Sequence, residues 1–227
     1  AINHAETKFK APDNEEDYDK DHRKKRIERF VGHMAQVGNL GTQHVAKLHR
    51  LLRTNDATTG IAMDKLASEH GDKFSTNAIN QYNDKVNGSL PPKMLMAQKL
   101  PDHILNSITP ASYHFVRRSK LKPEHIDRMV NYVVNDDGSP TLLNTFHDKL
   151  TGDHIKQVLG MTMTDANDVT RPHMGHSHIS AIMKSPNFSK EHHDILMDNL
   201  SKKYIKPENA WTDHNAQYRQ IAGLVLN

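Results

Sequence analysis

The sequence predicts an all-α fold: an irregular α-solenoid of about six short helix pairs behind an N-terminal amphipathic helix. Three observations predict it. One short phrase recurs six times along the 227 residues. Apolar residues recur at helical spacing after most copies, and no segment sustains the alternation of a strand. The apolar fraction is 36%, thin for one large core but suited to stacked helix pairs that share a narrow one.

The phrase is a Lys or Asn, a large apolar residue, two turn or cap residues, an acid or amide, His, then an aliphatic residue. Lys120-Leu121-Lys122-Pro123-Glu124-His125-Ile126 is the fullest copy. Its sisters start at Asn39, Lys73, Lys99, Lys149 and Asn187. The His slot falls at 44, 78, 103, 125, 154 and 192 and holds Ala at 78; the copy at Lys99 is one residue short. Each copy reads as a helix start. Thr42, Ser75, Thr151 and Ser189 are N-cap types. Pro101 and Pro123 sit where a missing N–H costs nothing. The acid lies in the first turn, against the positive helix end.

In order along the chain, residues 1–14 are polar and predict a flexible tail. Residues 15–38 predict a charged amphipathic helix. Its acids come first, its bases follow, and Ile27, Phe30, Val31, Met34 and Val37 recur at helical spacing before Gly38. This helix is expected to cap the array's terminal apolar face. Residues 39–227 form the repeat domain. A turn and a second apolar cluster follow each phrase, among them Ile61-Met63-Leu66, Leu142-Leu143-Phe146 and Ile179-Ile182-Met183. These predict short second helices. The apolar end, Tyr218 to Leu226, is expected to be buried or to meet a partner. The chain opens on Ala1 rather than Met, which fits a processed or partial chain.

Composition excludes several function classes. There is no cysteine, so disulfides, thiolate catalysis and cysteine metal sites are out. No apolar run approaches the ~18–20 residues of a membrane span, so no membrane is expected as a partner. A formal net charge of +3 is weak support for a polyanion partner. The glycines form no phosphate-cradling loop, and no nucleophile elbow or His-Glu-x-x-His is present. No enzyme activity and no cofactor are expected.

The repeated Leu-x-Pro-Glu-His-Ile-Asp phrase resembles the degenerate HEAT-like two-helix repeats of large bacteriophage and bacterial proteins. The resemblance spans roughly residues 39–227; the uneven spacing and the Ala at 78 depart from it. It implies a solenoid used as an interaction surface, a structural or accessory role in a bacteriophage virion or assembly, and no catalytic residues. It also implies protein partners and a cytoplasmic or virion-associated location.

Three sets of residues could carry chemistry. The basic cluster Arg117, Arg118, Lys120 and Lys122, with Arg23, Lys24 and Lys25 on the first helix, would serve a nucleic-acid-binding alternative by contacting phosphates. Acids are interleaved and no aromatic platform accompanies them, so a solvated face is the plainer expectation. His173, His176 and His178 could hold Zn, Ni or Cu. On one helix, however, 173 and 176 share a face that 178 does not. The phrase histidines could form a ladder of titratable groups. The plainer expectation is that each bonds a cap or carbonyl at its own helix start.

Overall fold

In the computed structural model the protein is all-helical, with no strand among the described residues. Those residues are 2–10, 12, 16–57, 60–137, 139–161 and 174–204. The α-helices are α1 (Ala5–Lys8), α2 (Asp17–Ala35), α3 (Thr42–Thr54), α4 (Ile61–His70), α5 (Thr76–Lys85), α6 (Pro92–Leu95), α7 (Asp102–Ser107), α8 (Pro123–Tyr132), α9 (Pro140–Phe146), α10 (Gly152–Leu159), α11 (His176–Met183) and α12 (Lys190–Tyr204). Single 3-10 turns join several of them. After the phrase at Lys99, where a second helix is expected, the chain forms a 3-10 segment, Pro110–Phe115. No helix among the described residues is long and apolar enough to cross a membrane.

The chain divides into two compact units. Unit 1 is Ala1–Ile108 with Phe115–Lys120; unit 2 is Thr109–His114 with Leu121–Asn227.

In unit 1, α2 packs on α4 and α4 on α6, while α3 touches both α2 and α4. Ile27, Val31, Leu48, Leu52, Met63, Leu66 and Ile79 are fully buried. The first turns of α2 project into solvent: Tyr18 is 73% exposed, and burial starts at Ile27. There the charges pair along the helix, Lys20 with Asp17 at 2.8 Å and Lys25 with Asp21 at 2.9 Å.

The polar N-terminal residues are not bare coil. Ile2–His4 and α1 are helical turns. Ile2, Ala5 and Phe9 are buried. They recur at the i, i+3, i+7 spacing of one helix face, which the surrounding polar residues mask in composition. The Phe9 ring meets Phe30 of α2 at 5.5 Å, with the Arg26 guanidinium 5.9 Å from its centroid.

In unit 2 the helices that begin with the phrase are neighbours: α8 packs on α10 and α10 on α12. The intervening helices are neighbours too, α9 on α11. Ile126, Met129, Val130, Leu143, Phe146, Ile155, Val158, Ile179, Ile182 and Leu196 form the core between them. The apolar stretch from 218 lies outside the described residues.

Candidate functional site: the histidine-capped helix starts

A helix start leaves four N–H groups without partners. In the usual capping box, a Glu or Gln at the third helical position reaches back to the N-cap amide. Here His takes that position. In α8 the Lys122 N–H donates to His125 Nδ1 at 3.0 Å, and in α10 the Thr151 N–H donates to His154 Nδ1 at 3.1 Å. In α12 the Ser189 N–H reaches His192 Nδ1 at 3.0 Å, and in α3 the Gly41 N–H reaches His44 Nδ1 at 3.4 Å. Thr151 Oγ1 also accepts from the His154 N–H at 3.3 Å, completing a reciprocal box.

A fifth copy was missed in the sequence. Gly175 N–H donates to His178 Nδ1 at 3.2 Å at the start of α11. The Gly-x-x-His spacing is the same as Gly41 to His44, but it lies inside the apparent metal cluster. His178 is buried and commits a ring nitrogen to its own helix. His176 is the first residue of α11, and His173 lies outside the described residues. No group of three metal-ligating side chains suited to an ion occurs among the described residues.

Two expected slots lack the bond for clear reasons. In α7 the N-cap is Pro101, which has no N–H to give. The missing residue also moves His103 to the second helical position, where it is exposed. In α5 the slot holds Ala78, and Ser75 Oγ accepts from the Ala78 N–H at 3.3 Å in the ordinary serine fashion.

The other ring nitrogen reaches the preceding copy. Accepting at Nδ1 leaves the proton of a neutral ring on Nε2. His154 Nε2–H then donates to Asp127 Oδ1 of α8 at 2.8 Å, and His192 Nε2–H to the Gly152 carbonyl of α10 at 3.1 Å. Gly152 makes room: a Cβ there would sit 3.3 Å from His192 Cε1. His125 instead meets the Tyr113 ring edge-on at 5.8 Å.

The opening residue of the phrase also acts across copies. Lys73 Nζ donates to the Leu40 carbonyl at 2.6 Å, Lys120 Nζ to Leu100 at 3.3 Å, and Asn187 Nδ2 to Leu150 at 2.7 Å. Each acceptor is the large apolar residue of the preceding phrase. Asn199 Nδ2 adds a bond to the Leu159 carbonyl at the end of α10, at 2.8 Å. These carbonyls flank or end helices, so polar side chains from the next copy satisfy them.

The predicted basic cluster is partly structural. Arg117 Nε donates to the Met96 carbonyl at 2.5 Å, Lys120 is engaged as above, and Lys122 is the N-cap of α8. Arg118 is exposed. Lys122 belongs to unit 2 and the other three to unit 1. On α2, Arg23 bonds Asn55 Oδ1, Lys24 is half-buried and Lys25 pairs with Asp21. A more uniform basic surface lies on α3. No Asp or Glu occurs in α3, where Lys47, Arg50 and Arg53 face away from buried Val45, Leu48 and Leu52.

One cleft of unit 1 has a buried polar atom. His49 Nε2 has no hydrogen-bond partner among the described residues, and the ring leans on Phe74 at 5.7 Å. Burial, then the nearby Arg53 charge, pushes the His49 imidazole below its ordinary pKa. Elsewhere in the unit, burial and a 3.0 Å bond to Asp64 push the Tyr82 phenol up to about 12.

Comparison with family models, curated proteins and solved structures gives no match.

Proposed function

We propose that this chain is a non-enzymatic structural protein that presents a helical-repeat surface to another macromolecule. The observation that carries the reading is the use of the abundant histidines. Five bind their own helix starts, and two of these also tie one phrase copy to the one before it. In these five of the 17 histidines the side chain best suited to catalysis at neutral pH is spent on holding helix starts. In unit 2 the packing of α8 on α10 on α12, with α9 on α11, supports a helix-pair array. The resemblance of the phrase to bacteriophage repeats directs the proposal to a virion or assembly component. Cross-linking mass spectrometry in the native source tests it. Reproducible cross-links from exposed lysines such as Lys65 and Lys93 to one macromolecule are expected. An isolated monomer with measurable turnover of a substrate would overturn the reading.

A second reading, nucleic-acid binding, is favoured by α3. Arg50 lies at the centre of its solvent side, with Lys47 and Arg53 about 60° to either side. A gel shift that weakens with salt and is lost in Arg50→Glu is expected on this reading. No shift at low salt would dispose of it.

A further inference from the structure

The copy without a histidine leaves a place where one would fit. His154, third in α10, bonds Asp127, fifth in α8. The same two positions in α5 and α3 are Ala78 and Ala46. Both positions here carry only a methyl group. A cleft of about 90 Å³ lies at that place, lined by Ala46, Ala78, Ser75, Phe74, Lys73 and His49. It is not simply an unfinished core. Ser75 already caps α5 through its hydroxyl, and Lys73 is spent on the Leu40 carbonyl. The unsatisfied feature is His49 Nε2, which is buried and unpartnered among the described residues. His49 stands eighth in α3, where α8 has Val130 and α10 has Leu159, both buried. In α3 a polar ring stands where α8 and α10 have a core aliphatic, beside the boundary where the capping ring is missing.

We infer that the cleft between Ala46 and Ala78 is a binding site for an imidazole ring supplied from outside the chain. The guest ring takes the place of the absent slot histidine. One nitrogen accepts from the Ser75 N–H, as His154 Nδ1 does from Thr151. Its edge lies against the His49 ring. Phe74 supplies an apolar wall. A neutral ring fits because the one lysine in the cleft is already engaged and no carboxylate lines it. The ring can come from a free imidazole-type small molecule or from a histidine side chain of a partner. The site is independent of what the outer surface recognises.

Untagged full-length protein, titrated near pH ~8 where free imidazole is neutral, tests this by NMR. The probes are imidazole and N-acetyl-histidine amide. Saturable shifts of the Ser75 and Ala78 amides and of the His49 ring nitrogens are expected, with a dissociation constant in the millimolar range or tighter. Binding of both probes assigns the site to a histidine side chain, and binding of imidazole alone to a small molecule. Ala78→His should abolish the shifts by filling the slot from within. Ala46→Leu, which closes it from α3, should do the same and serves if the first variant folds poorly. Absence of a saturable shift at tens of millimolar imidazole, or equal shifts in wild type and a folded slot-filling variant, would overturn the inference.

Discussion

The imidazole of His154 bonds at both edges, accepting the Thr151 N–H at 3.1 Å and facing Asp127 Oδ1 at 2.8 Å. One side chain therefore closes its own helix start and ties α10 to α8. His154→Ala should lose both functions and lower stability by about 1–2 kcal/mol, the usual range for a lost cap. His154→Gln, which can still reach the Thr151 amide, should recover a good part of that. Asp127→Ala should cost less, under about 1 kcal/mol, because the carboxylate side chain is 66% exposed. Urea denaturation of the three variants checks the order.

The same logic applies to the residue that opens each phrase. Asn187→Ala removes the 2.7 Å bond to the Leu150 carbonyl. Ser185 Oγ, at 3.4 Å, still reaches that oxygen. A loss of about 1 kcal/mol is expected. Lys73→Met removes the 2.6 Å bond to the Leu40 carbonyl, and should cost at least as much in thermal denaturation.

Stability should depend on pH through His49. Its folded pKa lies below the ordinary 6.5 because burial disfavours the cation. Below that value the unfolded chain takes up a proton that the folded chain resists. The His49 contribution is thus complete above pH 6.5 and declines as pH falls through the folded value. His49→Leu should flatten the acid limb of the stability curve, with the largest gain over wild type at the acid end. Parallel wild-type and variant curves would refute this.

Close backbone approach fixes one glycine. A Cβ on Gly71 would lie 2.7 Å from Met94 Cγ and 2.8 Å from the Met94 amide nitrogen. Gly71→Ala must push α6 away from the turn after α4, and a loss of about 1–3 kcal/mol is expected in thermal denaturation. Gly38, with open space around its Cβ position, should accept Ala far more readily.

Much of this was legible in the sequence because it is local chemistry. The helix starts at Thr42, Thr76, Pro123, Gly152 and Lys190 follow from the cap residues of the phrase, and α2 from its charge order and apolar spacing. The capping use of the histidines is implicit in their place three residues after the N-cap. The Gly175–His178 cap is masked by the neighbouring histidines, whose spacing suggests a metal instead. The cross-copy bonds of Lys73, Lys120 and Asn187 were not legible, since they depend on which carbonyl the next helix brings near. Nor was the division into two units, which depends on contacts between residues far apart in the sequence. The burial of Phe9 was hidden by the polar residues around it. The cleft at Ala78 needed both levels, the sequence to mark the exception and the packing to reveal what it leaves open.

The most direct test of the capping account is the tautomer of each slot histidine, read from imidazole nitrogen-15 shifts in long-range proton–nitrogen NMR near neutral pH. His125, His154, His178 and His192 should each carry the proton on Nε2, with Nδ1 bare and shifted by the bond it accepts. Protons on Nδ1 in these rings, or averaged shifts like those of exposed His103, would contradict the account.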